Sequence, residues 1–262
     1  EVKLNKQKWK PDYGPSKPHV SAGVTAIGAR NFLIAYNINL NTQDKRIATD
    51  IAFDIREQGR NKRNKTGNFV RNKDGNPIKV PGILKSCKAV GWYIDKYNLA
   101  QVSMNLTDFD ITPPHIAFEE TRKQARKRGV RVSGSELVGL IPLDAMISAG
   151  KYYLRKQHRS TGIPIKDIIH IAVKSMGLDD LVIFDPKKKI IEYCINDSDG
   201  ALVSRSINTF SDDLSSGNPT PGGGSVSALA GVLGASLTAM VANLTFGKKK
   251  WDPLYDQMCR IS

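Results

Sequence analysis

Residues 87–111, CKAVGWYIDKYNLAQVSMNLTDFDI, decide the fold. Cys87–Ile94 and Leu99–Ile111 are two runs of strand length and β-prone composition, joined by the polar turn DKYN. On either side of this pair the chain supplies one helix and one strand. Upstream, Ala29–Leu40 (ARNFLIAYNINL) reads as a strand. Thr42–Gln58 carries Ile47, Ile51 and Ile55 at four-residue spacing, a helix with one buried stripe. Downstream, Pro113–Arg128 reads as a helix. Prolines occupy its first turn, Glu119 and Glu120 come early, and Lys and Arg come late, the charge order that suits the helix dipole. Gly129 closes it, and Val130–Leu140 is a further strand. The order β-α-β-β-α-β is the split βαβ pattern of ferredoxin-like domains, an α+β fold.

Two more helices follow, Leu143–His158 and Pro164–Met176, the second with Ile165, Ile168, Ile169 and Ala172 on its apolar face. Lys188–Ile195 (KKIIEYCI) reads as a short last strand. Asn196–Gly200 (NDSDG) is a turn at a domain boundary. The organisation expected is a domain over 1–195, a linker over 196–204, and the first helices of an all-α bundle over 205–262. Its most telling part is 219–245, PTPGGGSVSALAGVLGASLTAMVANLT, where a Pro/Gly turn runs into a helix with Ser225 as N-cap. That helix is apolar on most faces and needs surrounding helices. The sequence ends at Ser262 before they appear, so the expectation is a piece of a longer protein, with 205–262 unable to form a stable domain alone. Ser, Thr, Gly and Asn interrupt the apolar run too often for a membrane span. GGGS lacks the Lys-Ser/Thr ending of a phosphate-binding P-loop. No internal repeat is recognised at this level.

The chain has 262 residues, 40% of them hydrophobic, and a formal net charge of +14. That charge invites an anionic partner or is a solvated basic surface. It concentrates between Arg56 and Lys88, where ten Lys and Arg face only Glu57 and Asp74, a net +8. Gly, Asn and Pro punctuate this stretch, which reads as an exposed loop or long hairpin. Cys87, Cys194 and Cys259 are far apart and odd in number. They suggest neither a metal site nor a disulfide framework, and they fit a reducing cytoplasm. The first residues, EVKLNKQKWKPDYG, hold no apolar signal core.

His19, His115, His158 and His170 sit at no metal-ligand spacing. No GxSxG or paired Ser/His arrangement stands out, so the residues alone identify no catalytic group. The better candidates are binding loops. Asp12–Gly23 (DYGPSKPHVSAG) and Pro81–Lys85 (PGILK) precede strands, and in a split βαβ domain such loops rim an open sheet face. That arrangement suits a flat heteroaromatic ligand, or the loops are ordinary connectors.

Six separated motifs, in order, resemble the formiminotransferase-cyclodeaminase family: TAIGARNFLIAYNINL, IREQGR, AVGWYIDKYNLAQVSMNLTDF, GSELVGLIPLDAM, KIIEYCI and PTPGGGSVSALAG. The resemblance runs from about residue 8 to the end. Residues 8–195 resemble the C-terminal subdomain of glutamate formiminotransferase, and 205–262 the first helices of formimidoyltetrahydrofolate cyclodeaminase. It implies transfer of a formimino group from N-formiminoglutamate to tetrahydrofolate in histidine breakdown, then ring closure with release of ammonia. It also implies a cytoplasmic homo-oligomer with tetrahydrofolate, including polyglutamated forms, as co-substrate, and with no metal, nucleic acid or membrane.

The folate-contacting positions it implies are Gly14, Pro15, Ser16, Lys17, Pro18, His19, Val20, Ser21, Ala22 and Gly23, followed by Gly82, Ile83 and Leu84. The family's catalytic histidine and aspartate match no residue of this chain, so no catalytic residue carries over and the chain alone is expected to be inactive. Asn61–Lys79 is a basic insertion relative to shorter members. Two rival readings stand. One is an RNA-binding split βαβ module, although the strands lack the K/R-G-F/Y-G/A-F pattern. The other is a non-catalytic structural or assembly unit.

Overall fold

The computed structural model describes residues 7–195 and 200–261. The chain divides into two compact units, Glu1–Asn31 and Phe32–Ser262. In the first, Gln7–Trp9 is a single 3₁₀ turn, and His19 pairs with Gly23 in a tight reversal.

The second unit contains the expected β-α-β-β-α-β order. Its elements are β1 (Ile34–Leu40), α1 (Lys45–Ile55), the short pair β2 (Arg60–Asn61) and β3 (Lys79–Val80), β4 (Cys87–Ile94), β5 (Leu99–Leu106), α2 (Pro114–Lys127) and β6 (Val132–Val138). The main sheet runs β4-β5-β1-β6, every neighbour antiparallel. The DKYN turn is a 3₁₀ turn closed by Asn98 at φ 52. β1 starts at Ile34, later than the apolar run suggests, and α1 starts at Lys45, where the Asp44 carboxylate accepts from the Arg46 amide at 2.8 Å.

Strand alternation sorts the side chains. Ile34, Tyr36, Ile38 and Leu40 of β1, with Leu106, Met104, Val102 and Ala100 opposite them on β5, are buried on one face. Ala48, Ile51, Ala52 and Ile55 of α1 and Ala117, Phe118 and Ala125 of α2 complete that core. Gly91 makes the close fit possible: a Cβ there would lie 2.0 Å from the Thr49 amide nitrogen. A buried polar relay ties the sheet to the layer beyond. Tyr36 Oη donates to Ser135 Oγ at 2.9 Å, and Ser135 Oγ donates to the Met176 carbonyl at 2.7 Å. Met176 ends α4 (Ile165–Met176), which packs on α3 (Leu143–Lys156) with Gly150 at the crossing.

KKIIEYCI is not a strand. Asp185 caps a helical turn through the Lys187 amide, and Pro186 at its first position presets φ, giving α5 (Pro186–Lys189). Ile190 makes a single parallel bridge to Ile141, and α6 (Ile191–Ile195) follows. The high β-propensity of the paired isoleucines is overridden by this local start signal. Of the expected boundary turn, only Gly200 lies within the described residues. Beyond it come α7 (Ile207–Ser215), α8 (Gly223–Thr245) and α9 (Tyr255–Ile261). α8 begins after Gly222, three residues earlier than a Ser225 cap requires. It is long and apolar enough to cross a membrane by length and composition, with mean hydropathy 1.7 and only 6% of its most apolar window buried. Val232, Leu233, Leu237, Val241 and Leu244 are exposed along it. Its last turn meets the α+β part, where Asn243 Nδ2 donates to the Gly162 carbonyl at 3.0 Å, and the Tyr255 ring of α9 meets the His158 ring at 5.2 Å.

The basic insertion holds an internal repeat that the sequence reading missed. RNKTGNFV (63–70) and RNKDGNPI (71–78) are two copies of one eight-residue unit. They form the same turn twice. Asn64 and Asn68 are joined by a backbone bond, as are Asn72 and Asn76. Each leading Asn side chain accepts from the amides two and four residues on. Arg63 and Arg71 each donate to the turn glycine's carbonyl, at 2.6 and 2.7 Å. Lys62, Val70 and Ile78 stitch the two turns into one sheet-like stack. Arg60 anchors its base: its guanidinium reaches Asp50 Oδ1 at 2.8 Å and also Asp54, and Arg128 from the end of α2 grips the same two aspartates.

Candidate functional site

The sheet's second face carries no helix of the split βαβ unit, and its residues form three rows. The first runs Gly134, Asn39, Gln101, Trp92; the second Glu136, Asn37, Ser103, Val90; the third Val138, Ala35, Asn105, Lys88. Asn39 and Gln101 are fully buried and Asn37 nearly so, although they occupy the face opposite the apolar core. Buried polar groups require partners, and these have them in sequence. Trp92 Nε1 donates to Gln101 Oε1 at 3.1 Å. Gln101 Nε2 donates to Asn39 Oδ1 at 2.7 Å and to Glu136 Oε2 at 3.4 Å. Asn39 Nδ2 donates to Asp180 Oδ2 at 3.2 Å, and Asn37 Nδ2 to Glu136 Oε2 at 3.3 Å. Asp180 reaches this network from the loop after α4 and lies where a Cβ on Gly134 would be.

The network has a direction. An indole N–H starts it, each amide is oriented by the one before, and it ends on two carboxylates. Glu136 receives both of its amide bonds on Oε2. Around it Trp92 is 40%, Val90 53% and Val138 50% exposed. The face therefore combines flat apolar surface with anchored acceptor oxygens. It suits a planar ligand whose edge presents N–H donors.

The loop positions expected from the sequence divide between the two units. Gly14 to Gly23 all lie in the first: Gly14, Pro15, Ser16, Lys17, His19, Val20, Ser21, Ala22 and Gly23 are exposed and Pro18 is half-buried. Their expected donors are engaged locally, since His19 Nδ1 accepts from the amides of Ser21 and Ala22 and contacts the Ser21 hydroxyl. Gly82, Ile83 and Leu84 lie in the second unit. Leu84 is core, Ile83 is 54% exposed, and their amides bond to the Ile55 and Asp54 carbonyls at the end of α1. The backbone at Gly82 is closely packed. A Cβ there would lie 2.0 Å from the Arg56 carbonyl oxygen, so the close approach is to the chain's own backbone.

Ile83, Leu84 and Lys85 border a groove of about 1230 Å³ along α2. Lys88 stands on the open face, and Lys79 on the repeat stack, so the +8 stretch is not one patch. Among the described residues, no three His, Cys, Asp or Glu are grouped to hold a metal ion.

His115 is buried at the start of α2, 4.6 Å from the Tyr152 ring, with Nδ1 unpartnered. Burial pushes its pKa down to about 4 from 6.5, and the Glu119 carboxylate opposes that only in part. The unfolded chain therefore takes up this proton near pH 6.5 and the folded chain only near 4. The stabilisation is complete above 6.5, on the order of 3 kcal/mol, and is lost as pH falls towards 4. Thermal melts of His115→Gln are expected to fall less steeply from pH 7 to 4.5 than those of the parent. Parallel curves would assign the acid sensitivity to other groups.

A family model described as the formiminotransferase domain matches residues 35–196, the whole sheet and its helices. The chain belongs to that family. A second model, described as formiminotransferase-cyclodeaminase, matches 206–262. Formimidoyltransferase-cyclodeaminase of Dictyostelium discoideum is 43% identical over 258 residues, covering 97% of this chain and 44% of that protein. Glutamate formimidoyltransferase of Streptococcus pyogenes is 40% identical over 153 residues, 58% of this chain and 44% of that one. Methenyltetrahydrofolate cyclohydrolase of Methylorubrum extorquens is 54% identical over 48 residues, 18% of this chain and 23% of that one. The chain thus spans less than half the length of these relatives.

Proposed function

We propose that this chain supplies the tetrahydrofolate-binding part of a cytoplasmic glutamate formimidoyltransferase, joined to the opening helices of a formimidoyltetrahydrofolate cyclodeaminase. Family membership and the names of the relatives support the transferase and cyclodeaminase activities. The observation that carries the placement is the amide–carboxylate network on the open sheet face. In this reading the pterin lies against Trp92 and Val90, with its aminopyrimidinone N–H donors turned towards Glu136. Formimino transfer from N-formiminoglutamate then requires the folate amine to add to the amidine carbon from one face of its plane, the glutamate nitrogen leaving as its C–N bond breaks, and a ring held on its edge and face meets that requirement. These residues bind and orient, and none is assigned a proton-transfer step.

A folate seated there points its glutamate tail towards solvent, where Lys88 borders the face. Titration of the full-length protein with tetrahydrofolate mono- and pentaglutamate is expected to show binding of both, tighter for the pentaglutamate. Each exposed charge pair contributes only ~0–1 kcal/mol, so the preference is expected to be several-fold, to shrink with salt, and to fall in Lys85→Gln/Lys88→Gln. Failure of both forms to bind would overturn the reading. A preference that ignores salt and the lysines would place the tail elsewhere.

A further inference from the structure

The repeat stack carries a feature that the folate reading does not use. Where β2 and β3 meet α1, a cleft of about 710 Å³ is lined by Phe53, Phe69, the Asp50 carboxylate and five cations, Arg56, Arg60, Lys62, Arg63 and Lys79. Only Arg60 is neutralised, by Asp50 and Asp54. Among the described residues the other four form no ion pair. Two of them are held by uncharged groups instead. The Arg56 guanidinium lies 4.3 Å from the Phe53 ring centre, and its Nε donates to the Gly59 carbonyl at 2.9 Å. The Arg63 guanidinium lies 4.3 Å from the Phe69 ring centre and donates to the Gly67 carbonyl at 2.6 Å. Rings and carbonyls fix these groups in place without cancelling their charge. The Arg60 Nε is buried with no hydrogen-bond partner. Burial, and then the neighbouring Arg60 cation, hold Arg56 below the usual arginine range. Arg56 and Arg60 are partly buried while Lys62, Arg63 and Lys79 are exposed, and like charges gathered around one cleft favour an anion among them.

We propose that this cleft binds a compact polyphosphate anion. Four uncompensated cations in so small a volume call for several negative charges close together. A phosphate group carries about −1.5 to −2 and three acceptor oxygens, so two or three linked phosphates match the cleft. The edges of stacked guanidiniums suit phosphate oxygens through paired N–H donors. A polyglutamate tail spreads one carboxylate per residue and fills the cleft less well. The tandem repeat contributes Arg63 and Phe69, so the insertion builds half of the site.

The test is calorimetric titration of the full chain with inorganic tripolyphosphate and, separately, ATP, at about 150 mM salt, where long-range surface fields are screened. Both probes are expected to bind. Equal affinities identify the phosphate chain as the recognised group, and tighter ATP binding shows that a nucleotide is the better source. Lys62→Gln/Arg63→Gln/Lys79→Gln is expected to weaken binding about ten-fold or more. Phe69→Ala, which removes no charge but frees the Arg63 guanidinium, is expected to weaken it by a smaller factor. Lys123→Gln/Arg126→Gln/Lys127→Gln, which removes the same charge from α2, is expected to leave affinity within about two-fold. Circular dichroism melts check that each variant is folded. No binding by the parent, equal losses in the two triple variants, or displacement of tripolyphosphate by an equal concentration of pentaglutamate would overturn the proposal.

Discussion

Glu136→Gln in the full-length protein is expected to raise KM for tetrahydrofolate about 10- to 100-fold while leaving KM for N-formiminoglutamate and the melting temperature nearly unchanged. Glu136 is partly exposed and packs no core, and a glutamine whose oxygen stays on Asn37 and Gln101 keeps their buried partner, so the fold loses little. Its carboxylate is the acceptor on which Asn37 and Gln101 both converge. A glutamine there has one acceptor oxygen and one donor group in place of two acceptors. If its oxygen keeps the two amides, its –NH₂ faces the ligand's N–H donors. If it turns over, its –NH₂ opposes Asn37 and Gln101. Either way a charge-assisted hydrogen bond is lost, worth about 1.5–3 kcal/mol, which corresponds to the stated range in affinity. Steady-state kinetics with each substrate varied in turn, plus direct titration with tetrahydrofolate, decide the matter. An unchanged KM for tetrahydrofolate would remove Glu136 from the site and with it the proposed placement of the pterin.

The sheet was legible because its alternation is clean: Ile34, Tyr36, Ile38 and Leu40 mark a buried face by their spacing alone. The same alternation hid the candidate site. Asn37 and Asn39 in IAYNINL, and Gln101 across from Asn39, look like the solvent side of an ordinary half-buried strand. The signal was present in a weak form, since amides recur on that face of the two central strands, at Asn37, Asn39, Gln101 and Asn105. Asp180 could not have been found from pattern, because it joins the network from a loop more than a hundred residues after β1. The eight-residue repeat at 63–78 was visible in the letters. It escaped a reading that took this basic, Gly/Asn-rich stretch as an exposed loop or long hairpin, and each leading Asn side chain organises its own turn within it. KKIIEYCI was misread for the opposite reason, when two isoleucines outweighed the Asp-Pro helix start just before them. The resemblance marked Gly82 as a ligand contact, and the backbone adds that its lack of a side chain is required by packing against the Arg56 carbonyl.

Gly82→Val is expected to destabilise the folded chain by about 3 kcal/mol or more, lowering its melting temperature by roughly 6–12 °C. The atom that valine adds first would lie 2.0 Å from the Arg56 carbonyl oxygen and 2.8 Å from that of Asp54. Both are backbone atoms at the end of α1, so no side-chain rotation relieves the overlap. Relief requires the segment to lift away, which breaks the Gly82, Ile83 and Leu84 amide bonds to the carbonyls of Glu57, Asp54 and Ile55. It also withdraws Leu84 from the core, where it is 6% exposed. Lost folate binding in this variant would therefore say nothing about ligand contact. The informative companion is Ile83→Ser, because Ile83 is 54% exposed and its side chain is free to change without unfolding its neighbours. If the segment also touches folate, Ile83→Ser is expected to raise KM for tetrahydrofolate several-fold at an unchanged melting temperature. If KM does not move, the segment is a packing element only, and folate recognition rests on the open face that Glu136 tests separately. A Gly82→Val protein that melts with the parent would show that α1 and the start of β4 can part at little cost, contrary to their hydrogen-bonded contact.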